Sequence, residues 1–476
     1  MISGAFLLAT TLMLLATERG VSAFVSTSPT FGVSTTAQQH KQSTILFALE
    51  SDDFSLDDNT SDNNNDDLLT ALKKRQLDLS QSQEEIQQRW RTADCQRRSL
   101  ELPDWVRRVS VQYPLAACGS SSGDVYVIHC ESGDVIGRGQ TEEDQRKYAD
   151  VPMSPELMTA TKQLFGDFDG GGTLALAFSD NNLIAHAGRN RNGGVELWKF
   201  DASSDAAMGL VSKGILLEDT LVTSLEWAQD DLWIGTQDGR VLVYSFDDYD
   251  DEEDEEDLSS ELTQKWKVGG TVLSLSYHEE LDVTVVTTSK GKVELLSVED
   301  STRSQQRVFH PPFDSGRMRS NVFPLCAIIV EQKNDNNNSR QFALACGGND
   351  GSIFLQSLNL IQGPTETTLA IPELDFDKPF VGTPAKSLTP AHVRPCKTLV
   401  TPFPGIMLSG GTDGTIRVWD LTVSSEDTKK GGQGLYIMAG FKVWLGSLWS
   451  DGTRLVTDGA DNTIMVCDFG KSFQDE

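Results

Sequence analysis

Residues 408–420 read LSGGTDGTIRVWD. A run of apolar and small residues ends at Gly411. Thr412-Asp413-Gly414 then makes a tight polar turn, and its glycine supplies the positive φ that a branched side chain resists. Beyond the turn the side chains of IRVW alternate, so every second one points to the same face of a strand. The same layout recurs in CGSSSGDVYVI, GRNRNGGVELW, GTQDGRVLVY, TTSKGKVELL, GGNDGSIFLQ and DGADNTIMVC. The seven turn residues are Gly123, Gly193, Gly239, Gly291, Gly351, Gly414 and Asn462. Their spacing varies only upward from the mid-forties. That pattern predicts four-stranded units of about 40–45 residues with loop insertions. Ile128, Trp198, Tyr244, Leu296, Gln356, Trp419 and Cys467 share one position, where a large side chain fills the space between adjacent sheets.

Trp419-Asp420 closes the clearest copy, and on these residues the chain over roughly 100–470 resembles the WD-repeat family, diverged in most copies. The resemblance implies an all-β fold: a single seven-bladed β-propeller of four-stranded antiparallel sheets, here with an N-terminal helix. It also implies a structural hydrogen-bonded tetrad within the sixth blade, His392, Ser409, Asp413 and Trp419, to which no chemistry is assigned. Blade seven keeps Thr457 and Asp461 but has Cys467 for the tryptophan, and blade four has Lys290 where an aspartate is expected. The last blade offers only three strands, so residues 95–101 (CQRRSLE) are expected to supply its fourth. Closing the ring in this way removes an exposed edge. A kelch-type or other six-bladed propeller is the alternative fold.

The formal charge of −30 is concentrated. Residues 51–67 carry seven Asp without Lys or Arg, and residues 247–257 carry ten acids in eleven positions. Such runs repel themselves and stay solvated, as a linker and a loop. The competing reading of the loop is a docking surface for a basic partner. Non-specific nucleic-acid binding by the body of the protein is disfavoured, because phosphate contacts need clustered Lys and Arg. None of the seven cysteines forms C-x-x-C or lies at zinc spacing with histidine. Their strand-like contexts predict reduced core residues.

Gly4 to Ala16 is an uncharged run of thirteen residues, the length of a signal-peptide core rather than of a membrane span. Val21 and Ala23 suit a cleavage site before Phe24. Residues 24–48 contain nine Ser or Thr and no acid. Together they resemble the bipartite presequence of algae with diatom-type secondary plastids, in which an aromatic after the cleavage site marks import into the stroma. The expected organisation is a signal peptide over 1–23, a transit-peptide-like segment over 24–50, an acidic linker over 51–67, a helix over 68–94 and the propeller over 95–470. The expected location is the plastid stroma, with no membrane association of the mature form; secretion is the alternative. The helix carries Leu72, Leu79 and Ile86 at heptad spacing, a weak seam expected to pack on the propeller rim.

Gly119-Ser-Ser-Ser-Gly123 matches G-x-S-x-G, but that nucleophile elbow needs a strand-to-helix turn and a strand follows here, so Ser121 reads as a hairpin residue. The six histidines are scattered singly, and no calcium loop, phosphate loop or dinucleotide fingerprint is found. No cofactor or metal is expected. Residues 140–171 and 359–390 are insertions, the first expected on the tight-turn face and the acidic loop on the opposite face. Rigid blades would present such loops, the second with Ile371, Phe376 and Phe380, to partners. The functional expectation is a non-catalytic scaffold for one or more proteins. The rivals are an RNA-associated factor using the basic helix and a propeller-type hydrolase or lyase with converging acids and histidines in its channel.

Overall fold

Alternating strands separated by tight turns leave each sheet with two apolar faces, and a ring of sheets packed face to face buries both. The computed structural model is a seven-bladed β-propeller of four-stranded antiparallel sheets. It describes residues 25–26, 64–139, 172–188, 194–201, 209–217, 220–246, 260–300, 303–309, 322–333, 340–361, 372–381, 385–422, 432–441, 445–459 and 462–471. The chain divides into two compact units, the propeller and the segment carrying the helix. The helix spans Asn64–Thr92, starting four residues before the expected Leu68; Leu79 of its heptad seam is exposed.

The seven innermost strands, in blade order, are Val106–Gln112, Thr173–Phe178, Val222–Ala228, Val272–His278, Pro324–Gln332, Cys396–Phe403 and Leu448–Ser450. Blade seven is completed from the other end of the chain. Gln96–Glu101 pairs antiparallel with Thr463–Asp468, placing Arg97 opposite Cys467. Leu100 and Leu102 then join Ile464 and Val466 in one buried cluster. Five of the seven expected turn residues, Gly123, Gly239, Gly291, Gly351 and Gly414, have positive φ. Gly193 lies outside the described residues. Asn462 is a correction, since positive φ is not found there. Its backbone oxygen instead accepts from Leu102 N (2.7 Å) and its Nδ2 donates to Leu102 O (3.0 Å), so it fastens the incoming strand.

Side chains at the shared large position are buried at Ile128, Trp198, Leu296, Gln356, Trp419 and Cys467. All seven cysteines are free and buried, and burial pushes thiols such as Cys118, Cys130 and Cys346 up, Cys130 to about 12. The insertion of residues 359–390 is not a single excursion. Leu360–Ile361 pairs with Glu373–Leu374, and Lys386–Ser387 is the fourth strand of blade five. Phe376 and Phe380 pack against the core between blades four and five, with Phe380 and Phe309 ring centroids 4.7 Å apart, so they serve packing. The acidic stretch joins Arg240–Phe246 to Ser260–Lys267, the third and fourth strands of blade three, but its residues lie outside those described, as do residues 140–171, Ile371, Asp461 and the presequence apart from Val25 and Ser26.

Candidate functional site at the channel and the tight-turn face

The inner strands present one backbone edge to the central channel, and unpaired N–H and C=O groups there need partners. Side chains supply many of them across blade boundaries. Ser447 Oγ accepts from Val109 N (3.0 Å), Ser110 Oγ from Phe178 N (3.0 Å) and Ser224 Oγ from Leu275 N (2.9 Å). Arg108 Nε donates to Leu174 O (2.9 Å) and Thr223 Oγ1 to Val272 O (2.6 Å). This short-range stitching holds neighbouring blades in register around a cavity of about 780 Å³ lined by all seven inner strands.

Six of the seven inner strands carry a bulge at the same place, one residue into the strand. The residues skipped by the pairing are Arg107, Leu174, Thr223, Leu273, Leu325 and Lys397. A bulge re-aims its side chain, and the last five of these line the cavity, with Arg108 there in place of Arg107. Blade seven has no such bulge. In the register of its second strand Asp458 takes the position that Gly119, Ala187, Gly235, Thr287, Gly347 and Gly410 hold elsewhere. Its carboxylate accepts from Gly446 N (2.7 Å) and Ser447 N (3.0 Å), which otherwise lack a ladder partner. Burial pushes Asp458 up to about 6 and pushes Lys397 down to about 7.

Nearer the other end, Glu226 accepts a hydrogen bond from Tyr277 N (3.3 Å), and burial pushes its carboxyl up to about 7. Burial lowers His278, whose Nδ1 accepts from Leu281 N (3.3 Å) and so caps the short helix Glu279–Leu281. Arg340 bridges Glu280 and Glu331, 2.8 Å from the latter. These charged groups were missed in the sequence because they come from six different blades; Lys397, Asp458 and Glu226 each sit in a run that reads only as strand.

In blade six the expected residues lie together. Trp419 Nε1 donates to Ser409 Oγ (2.9 Å), and Ser409 Oγ lies 2.8 Å from His392 Nε2. His392 Nδ1 is 3.0 Å from Asp413 Oδ1, and Thr415 Oγ1 donates to the same carboxylate (2.7 Å). An ionised carboxylate can only accept, so the imidazole proton sits on Nδ1 facing Asp413, and the serine hydroxyl, which accepts from the indole, donates to Nε2. Burial raises Asp413, but the bonds from His392 and Thr415 outweigh it and hold the carboxyl at about 2. Blade two contains a second buried chain, unrecognised in the sequence: Thr173 Oγ1 lies 3.0 Å from His186 Nε2, and His186 Nδ1 lies 3.1 Å from Glu196 Oε2. Ser409, His186 and Thr173 are each fully buried, so both chains lie away from solvent. Ser121 is in a turn, where its hydroxyl donates to Asp104 (2.9 Å).

On the tight-turn face, Trp105 precedes the inner strand of blade one and its carbonyl accepts from Ser121 N (2.8 Å). Val393 precedes the inner strand of blade six and its N–H donates to Asp413 (3.2 Å). Their side chains are 46 % and 82 % exposed.

The family model described as WD domain, G-beta repeat matches residues 383–420, which run from the approach to blade six through its third strand. None of the curated proteins matches the chain. Among solved structures the chain is similar to the computationally designed Ika8 protein, at 16 % identity and a TM-score of 0.40, over 78 % of this chain and 98 % of that one. Propellers built from such repeats are typically protein-interaction scaffolds.

Proposed function

We propose that the protein is a non-catalytic scaffold of the plastid stroma that holds one or more protein partners on the tight-turn face of its propeller. The observation that carries this reading is the exposure of Trp105 and Val393 on that face, in blades flanking the ring closure. A large aromatic presented by a rigid frame is the usual anchor of a protein interface, where it displaces water into a partner's pocket. The Ser–His–Asp and Thr–His–Glu chains support a structural rather than a chemical role, because the hydroxyls are buried and engaged within their own blades. The test is affinity capture from isolated plastids with the wild type, Trp105→Ala with Val393→Asp, and a control changed at the exposed outer-strand residue Val308. The double variant loses partners that the control keeps; equal capture by all three would refute the turn face as the docking surface.

The plastid location rests on the uncharged run of residues 4–16, the Ala23–Phe24 junction and the acid-free Ser/Thr segment that follows. Residues 1–50 fused to a fluorescent reporter should carry it into a secondary plastid, and Phe24→Ala should strand it before the stroma. Secretion of the wild-type fusion would overturn the location.

A further inference from the structure

The inner strands of blades five and six meet beside a pair of thiols. In blade five Cys326 stands opposite Gly347, just beyond the skipped Leu325. In blade six Cys396 stands opposite Gly411, just before the skipped Lys397. Both sulfurs rest against one glycine. A Cβ at Gly347 would come within 2.8 Å of Cys326 Sγ and 2.7 Å of Cys396 Sγ, so the missing side chain is what lets the two sulfurs share one place. The Cys326 thiol donates to Cys396 O (3.6 Å). A thiol is a weak donor, and here it takes the part that Arg108 and the Thr223 hydroxyl take at other blade boundaries. Cys396 is fully buried, whereas Cys326 is 5 % exposed and lies on the wall of the channel cavity. Both belong to the apolar cluster that holds Trp419.

We propose that Cys326 and Cys396 are a redox clamp: oxidation joins them in a disulfide across the boundary between blades five and six, and a dithiol reopens it. The proposal is independent of the docking surface and of the plastid location. The oxidant is hydrogen peroxide, a molecule little larger than water, for which the channel cavity has room. Cys326, as its thiolate, attacks one peroxide oxygen. The S–O bond forms, the O–O bond breaks, and the leaving hydroxide takes up a proton as water. Cys396 then attacks the Cys326 sulfur, the S–S bond forms, and the sulfenic oxygen departs as a second water carrying the Cys396 proton. The two thiols lose two electrons together, and the peroxide gains the same two. The hydrogen bond with Cys326 and then burial push the Cys396 thiol well up. Cys326, at the cavity wall, therefore meets the oxidant, and Cys396 resolves it. The bridge ties residues 70 apart along the chain and replaces a weak S–H···O stitch with a covalent one.

The test treats the purified, reduced full-length chain with hydrogen peroxide under native conditions, blocks the remaining thiols by alkylation and maps the peptides by mass spectrometry. The expected result is a link between Cys326 and Cys396 that dithiothreitol reverses. The oxidised chain should melt roughly several degrees above the reduced one, because a bridge over a long loop restricts the unfolded chain. Cys396→Ser removes both the link and the rise, and leaves Cys326 at the sulfenic acid, where dimedone traps it. Cys326→Ser removes the link and gives no dimedone adduct at Cys396. Peroxide that leaves both thiols free, or that oxidises Cys326 without linking it, overturns the proposal. So does a link that forms in equal yield in the urea-unfolded chain, since the fold then does not make the pair. A link that leaves the melting midpoint unchanged also overturns it, since it clamps nothing. Should either serine variant not fold, the peptide map and the melts of the wild type decide alone.

Discussion

Ser409 in blade six and His186 in blade two occupy the same register position, each two residues beyond the partner of the blade's tryptophan. Ser409 accepts from Trp419, whereas in blade two the imidazole fills that place and Trp198 Nε1 has no hydrogen-bond partner among the described residues. The two tryptophans therefore do different work. Trp419→Ala should cost about 3–5 kcal/mol through the cavity it leaves, and Asp413→Ala about 1–3 kcal/mol through the unsatisfied histidine. Trp419→Phe should cost about 1 kcal/mol more than Trp198→Phe, because only the former breaks a hydrogen bond. Urea melts of the four variants check this, and near-zero losses at Trp419 and Asp413 would remove the tetrad from the blade's stability. Glu226 offers a pH test. Its folded value, raised to about 7 by burial, means that its contribution is fully present below the ordinary carboxylate range and is gone above about pH 7. Wild type should lose stability between pH 5 and 8 by an increment that Glu226→Gln removes.

The turn glycines were legible because a positive φ leaves a mark in a single residue, and blade six was legible down to its hydrogen-bonding side chains. The bulges were not, since a skipped residue is a matter of pairing register: Lys397 and Leu174 look alike as the second residue of an apolar strand. Asp458 escaped notice for the same reason, being recognisable only when seven second strands are aligned by partner. In blade five the outer strand is just Lys386–Ser387, too short to leave a period in the sequence. Blade three illustrates how much an element tolerates between its strands. Phe246 and Ser260 are partners at the end of a hairpin, and the cost of closing that loop grows only slowly with length. Replacing residues 247–257 with a short Gly/Ser link should therefore leave the free energy of unfolding, read from urea melts, within about 0.5 kcal/mol of wild type. A larger loss would show that the acidic run contributes to the blade.

Seen as a ring, the molecule depends on one non-covalent seam. Its closure was readable from a strand count, three strands at one end of the chain and an unassigned strand at the other. Removing residues 1–101 should expose the edge of Thr463–Asp468, and an unpaired edge templates association. Size-exclusion chromatography should show the truncated chain as oligomers or aggregate, while the full chain elutes without them. The seam also sets a timetable. Residues 96–101 are made before the inner strand of blade one, yet their partners at 463–468 follow the strands of all six preceding blades. A pairing so distant along the chain raises the contact order and slows folding. Until it forms, blade seven has no outer strand and its apolar cluster with Leu100 and Leu102 stays open, the kind of half-finished surface that chaperones cover. A strand made ahead of blade one is thus used only once the rest of blade seven has been made, and the waiting time of the nascent chain is written into that seam.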